Sequence, residues 1–143
     1  MKLFKFAMLA AAPLLFSNCK DVEAKGDVTF ARSTFESLAK GETSVIPKID
    51  WETFNSSGTP VGAQYIALPN DSEKESYRNS FVTQFAASFR DSGGKLEDFT
   101  NWRLTDHDEI STEVTADSPT GLLKLTVSER NNEERLSAIQ IVK

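Results

Sequence analysis

The chain has 143 residues, 39% of them hydrophobic and 26% charged, with ten phenylalanines carrying most of the aromatic content. That profile belongs to one folded domain and excludes a disordered chain or a second core. Sixteen Lys and Arg stand against 21 Asp and Glu, a net charge of −5 with no basic stripe, which excludes nucleic acid as a partner and disfavours electrostatic adhesion to anionic lipid.

The first segment, Met1 to Cys19, has a basic start (Lys2, Lys5), an apolar run from Phe6 to Phe16, and small polar Ser17 and Asn18 before the single cysteine. The run is 11 residues long, whereas crossing a bilayer takes about 20, and Pro13 interrupts it, so it reads as an export signal and not as a membrane span. A single Cys closes no internal disulfide, so Cys19 calls for another explanation. The stretch Leu15-Phe16-Ser17-Asn18-Cys19 resembles the lipobox of bacterial lipoproteins, and with Asn before the cysteine it resembles the relaxed lipoboxes of spirochaetes. The resemblance implies cleavage after residue 18, diacylglycerol on the Cys19 thiol, fatty acyl chains such as palmitate, and a lasting anchor in the lipid bilayer. The alternative is a buried free thiol beside an ordinary cleavage site. Removing residues 1–18 takes Lys2 and Lys5 with it and leaves fourteen bases against 21 acids, a balance of −7. Residues 19–26 then read as a lipidated polar tether and residues 27–143 as one domain. Lys20 occupies the lipoprotein sorting position and is not the inner-membrane retention Asp. The expected location is therefore the cell envelope at the outer membrane, although spirochaetal rules would read Asp21 and Glu23 as retention signals.

Within the domain, Asp27 reads as the cap of a short helix to about Lys40, with Val28, Ala31, Phe35 and Leu38 on one face and Gly41 as its stop. Val45 to Phe54 repeats the period as a second short helix, with Pro47 in its first turn. Asn55 to Pro69 reads as loop, with a short edge strand at Ala63 to Leu68. Ser72 with Glu75 forms a capping box for a long helix to about Ser92, which carries Tyr77, Phe81, Val82, Phe85 and Phe89 on one stripe and reads as the central core helix; Gly93-Gly94 ends it. Strands follow at Leu96 to Leu104, Ile110 to Ala116, Leu122 to Glu129 and Arg135 to Val142. The intervening turns fall at Asp106-His107-Asp108, at 117–121 and at Asn131-Asn132. Short turns imply an antiparallel meander. The last strand is apolar on both faces (Leu136, Ala138, Val142; Ile139, Ile141), which suggests that both are covered.

The predicted fold class is therefore α+β, with two short helices and one long helix packed on a curved four-stranded antiparallel sheet. That order of elements resembles the nuclear transport factor 2-like (cystatin-like) superfamily, in which a sheet wraps a long helix into a cone with a pocket. The resemblance covers Asp27 to Lys143 in element order and carries no motif. The superfamily includes isomerases, dehydratases, ligand-binding proteins and many dimers formed through the outer sheet face, so it implies a fold and not one function. Ile49-Asp50-Trp51 followed by Phe81 to Phe89 also resembles the periplasmic phospholipid shuttles of the Mla pathway.

No residue set reads as catalytic. His107 is the only histidine and stands in an acidic turn with no second His or Cys near, so neither a metal site nor a Ser-His or Cys-His pair is expected, and no Gly-Xaa-Ser-Xaa-Gly elbow or phosphate loop occurs. No cofactor is expected. Asp50 and Asp98 are the candidates for acid/base work, each beside core-forming residues. Trp51, Tyr65 and Trp102 are the candidate walls of an apolar pocket, with core packing as the alternative. A bulge near Thr100 would turn Phe99 and Trp102 to the same side. The expected function is a non-catalytic binding module for an apolar ligand or lipid. The alternatives are an interaction or structural lipoprotein, a homodimer through the sheet face for instance, and, with less behind it, a small acid/base enzyme.

Overall fold

The computed structural model describes the backbone of residues 12–143 and the side chains of residues 25–143. The export signal expected at 1–18 lies outside the described residues over positions 1–11, and so does the Cys19 side chain. Among the described residues no helix is long and apolar enough to cross a membrane.

The first helix, α1, runs Ala12–Lys40. It passes through Asp27, which is therefore not its cap, and the backbone of the segment expected as a tether is helical. The expected apolar face is present: Ala31, Phe35 and Leu38 are buried, Val28 is half-buried, and Thr34 joins them. Gly41, at φ 75°, ends the helix, with Gly41 N donating to Leu38 O and Glu42 N to Ser37 O, the paired bonds of a glycine-terminated helix.

Val45 to Phe54 is not a helix. A 3-10 turn at Thr43–Lys48 gives way to a segment that runs beside the last strand, where Ile49 bridges Leu136 and Asp50 N donates to Leu136 O. Of the expected stripe, Ile49 and Phe54 are buried and Ile46 is half-buried, with Val45 buried beside it, so the spacing marked burial in part, and the β-branched run with Pro47 did not sustain an α-helix. Strand β1 (Asn55–Ser56) continues this segment. The stretch expected as an edge strand is instead the helix α2 (Val61–Ile66), burying Val61 and Tyr65 four residues apart. Gly62 sits where a Cβ would meet the Glu52 carbonyl oxygen at 2.4 Å, so only glycine lets α2 lie against that chain.

The long helix, α3, spans Asp71–Asp91. Its cap is Asn70, whose Oδ1 accepts from Glu73 N at 2.8 Å, and not Ser72; an Asn does this job as well as a serine. Gly93 and Gly94 close it by donating to Arg90 O and Phe89 O. The aromatic stripe faces inward, yet only Val82 is buried outright. The centre belongs to α1, which packs on the sheet on one side and on α3 on the other.

Four strands follow, β2 (Thr100–His107), β3 (Ser111–Ser118), β4 (Gly121–Arg130) and β5 (Glu133–Val142); the first starts and ends later than expected, because Leu96–Asp98 is a 3-10 turn and Asp106 and His107 still pair with β3. Each is antiparallel to the next. The sheet nevertheless has five strands and is mixed, because β1 pairs parallel with β5, in the order β1-β5-β4-β3-β2. Asn131 and Asn132, at φ 54° and 61°, make the tight β4–β5 turn.

Two bulges redirect side chains. In β2 the register slips between Thr100 and Arg103, with Asn101 at φ 53°, and Phe99 and Trp102 both reach Phe35, at centroid distances of 5.1 and 6.2 Å. In β5 the register slips at Ser137, so Leu136 pairs with Val127 and Ile139 with Leu125 on the inner face. The two-sided apolar pattern of β5 arises from this extra residue. The outer face is polar instead, where the Oγ1 atoms of Thr105 and Thr115 lie 2.6 Å apart and the Oγ atoms of Ser128 and Ser137 lie 2.7 Å apart.

Phe35 is 2% exposed and packs edge-on against Phe85, Phe89 and Phe99. Phe35→Ala is therefore expected to cost about 3–5 kcal/mol, read as a lowered urea midpoint with an unchanged slope.

Candidate functional site

The end of the sheet formed by the β2–β3 and β4–β5 turns opens into a cleft of about 550 Å³ beneath α1. Strand pairing assembles it. His107 ends β2 opposite Thr112 of β3, Thr112 lies opposite Val127 of β4, and Glu129 lies opposite Glu134 of β5. From above, α1 contributes Asp27, placed about two turns before Phe35 and so held wherever Phe35 is held.

Thr112 is buried and its hydroxyl is the junction of the site. It donates to Asp27 Oδ2 at 3.2 Å and lies 3.0 Å from His107 Nδ1. Glu134 lines the same cleft as Asp27. Hydrogen bonding with Asp27, partial burial, and the negative charges of Asp27 and Glu129 push the Glu134 carboxyl up to about 7. At the rim, Asp108 accepts from the backbone N–H groups of Ile110 and Ser111, both at 2.8 Å, which hold its carboxyl below the usual range. Ile110, 72% exposed, stands beside it. The lining residues include no lysine or arginine, and among the described residues no three His, Cys, Asp or Glu are grouped to hold a metal ion.

The residues singled out from the sequence lie elsewhere. Trp51 and Tyr65, 7% and 9% exposed, are packed among other rings: Trp51 lies 5.9 Å from Tyr65 and 5.6 Å from Phe81, and its indole N–H donates to Ile46 O at 2.9 Å. The Tyr65 hydroxyl accepts from Arg78 Nη1 at 2.9 Å. Trp102 is different. It is half-buried in a shallow groove between α1 and β2, beside Val28, Thr29 and Leu104, with the Arg32 guanidinium 5.8 Å from its ring centre and Lys25 at the rim. Asp50 is buried and paired with Arg130 at 3.4 Å, while Arg130 also binds Glu52 at 2.7 Å. The carboxylate pins the segment before β1 to β4. Asp98 sits half-buried in a 3-10 turn at Leu96–Asp98.

Asp27, Thr112 and Glu134 were not singled out from the sequence. Asp27 carries the signature of a helix cap, and Glu134 has no local pattern that marks it. The two hairpins do put His107 beside Thr112 and Glu129 beside Glu134, which turn positions alone come close to giving. What brings α1 over them is packing, which has no local pattern.

No protein-family model, curated protein or solved structure matches this chain, so its chemistry is argued from its own residues. Replacing Thr112 by Val removes the donor to Asp27 and the partner of His107 while keeping the shape. The expected loss is about 1–2 kcal/mol of stability in urea unfolding, with the fold retained by circular dichroism.

Proposed function

We propose that this chain is an exported bacterial lipoprotein, cleaved before Cys19 and held at the outer membrane by acyl chains on that cysteine. Its α+β domain, which we read as nuclear transport factor 2-like, acts as a non-catalytic module that binds an apolar ligand or lipid at the groove beside Trp102. The observation that supports the binding reading is the half-buried indole of Trp102 between α1 and β2, flanked by apolar Val28 and Leu104 and rimmed by Lys25 and Arg32. An apolar wall with cationic edges suits an amphiphile whose head group is polar or anionic. The same helix carries Cys19, six residues before Lys25, or about 9 Å of helix rise. The fold reading draws on the order of helices followed by an antiparallel meander, with α1 lying across the sheet.

An interaction role through the outer sheet face has less behind it, because that face carries hydroxyls and the charged pair Lys124 and Glu113 at 3.5 Å. The enzyme reading loses its motive at Asp50, whose carboxylate is engaged by Arg130.

The test is a detergent-phase partition of the full chain expressed in a bacterial envelope, followed by intact mass measurement and solvent extraction of co-purifying lipid. The wild type should enter the detergent phase with the mass of an acylated chain beginning at Cys19, and Cys19→Ser should remain in the aqueous phase unacylated. Trp102→Ala should keep the anchor and release the co-purifying amphiphile. An unmodified Cys19 thiol in the membrane-extracted protein would overturn the anchor, and extracts that are empty for the wild type would overturn the binding module.

A further inference from the structure

Where α2 meets α3 the surface opens into a pocket of about 270 Å³ that shares no residue with the Trp102 groove or the acidic cleft. Helix α3 supplies one wall: Tyr77, Ser80, Phe81 and Gln84 follow one another at spacings of three and four and so share a face. Helix α2 and the turn before it supply the other, with Val61, Gln64 and Thr59. The floor is apolar, since Val61 is buried and the Tyr77 and Phe81 rings are half-buried. The rim is polar, and its amides and hydroxyls, those of Gln64, Gln84, Ser80 and Thr59, belong to exposed residues. One hydrogen bond joins the walls, with the Tyr77 hydroxyl donating to Gln64 Oε1 at 2.9 Å. It leaves the Gln64 amide N–H groups free to donate and the Tyr77 oxygen free to accept. Partial burial pushes the Tyr77 phenol above its ordinary value, so it keeps its proton, and that bond, in neutral solution.

The lining selects the chemistry of its ligand. None of its residues carries a charge, and Lys74 and Arg78 of the same helix turn to the Tyr65 ring, 5.4 and 5.8 Å from its centre. An ion would lose water there without meeting a counter-charge. A wholly apolar molecule would cover the amides and hydroxyls of the rim and leave them unpaired. Those groups both donate and accept, and a ligand group that does the same is an alcohol. A sugar ring answers both parts of the pocket, with C–H faces for the floor and hydroxyls for the rim. The volume falls just below the roughly 300 Å³ at which sites for drug-sized molecules begin, which leaves room for one ring.

We propose that this pocket is a carbohydrate subsite that takes one neutral sugar ring, laid by its C–H face against Val61, Tyr77 and Phe81 and hydrogen-bonded through its hydroxyls to Gln64, Ser80 and Gln84. The subsite does not depend on what fills the Trp102 groove.

The test follows the amide chemical shifts of the full chain during titration with the methyl glycosides of the neutral hexoses. At least one should give shifts that saturate in the millimolar range and are confined to residues 59–64 and 77–84. Gln84→Ala should weaken that binding about tenfold, the effect of one well-paired polar contact, with the remaining amides unmoved. Cyclohexanol, a ring of similar size with a single hydroxyl, and glucuronate, a sugar ring with a carboxylate, should both bind more weakly than the best hexoside. Four outcomes overturn the subsite: no saturable shift with any neutral hexoside, cyclohexanol binding as tightly as the best of them, affinity unchanged in Gln84→Ala, or glucuronate binding more tightly, which would require a cation that the lining lacks.

Discussion

The position of α1 over the sheet depends on Phe35. Its ring meets Phe85 and Phe89 of α3 and Phe99 and Trp102 at the entry to β2, all at centroid distances of 5.1 to 6.4 Å. Phe85 passes the contact to Phe81, which packs on Trp51 and Phe54, and Trp51 in turn meets Tyr65. One unbroken chain of rings thus ties helices, sheet and the segment before β1 together, and it gains from both buried area and edge-to-face geometry. Fixing Phe35 fixes the rotation and height of α1, and with them the places of Asp27 and Val28.

That filled interior decides where function can lie. A domain of this outline offers the space between helix and sheet as its natural pocket, and here aromatic side chains occupy it. The recognisable surfaces have moved to the margins of α1: the Trp102 groove along its flank against β2, and the acidic cleft beneath the turns that precede Phe35. Each is half wall and half solvent. The groove presents apolar area with cationic edges, and the cleft presents carboxyls around a buried hydroxyl.

Much of the domain was readable from pattern because its local signals agreed with its packing. The period-2 run after Gly94 located all four meander strands, Gly41 and the Gly93-Gly94 pair stopped their helices, and the mismatch between Phe99 and Trp102 pointed to the bulge that Asn101 makes. The failures have one cause. Ile46, Ile49 and Phe54 carry a helical spacing because separate contacts cover them, and the Val61 to Tyr65 spacing is hidden among prolines and glycines that read as loop. The aromatic stripe of α3 marked contact with the core and was mistaken for the core itself, whereas α1, with smaller residues, sits where neighbours close in from both sides. Trp51 and Tyr65 showed as amphipathic aromatics, but whether such a ring lines a void or fills one is set by its neighbours. The site is the least local feature of all, since Asp27 and Glu134 come together only when the last strand and the first helix have both docked.

Asp27 and Val28 are neighbours on one helical turn and serve the two margins of α1, the first facing the cleft and the second the groove. A rigid helix cannot move one without the other. Whatever holds Phe35 therefore places the apolar wall of the groove and the acidic wall of the cleft together. The element common to both margins is the helix itself, and its fixed point is Phe35.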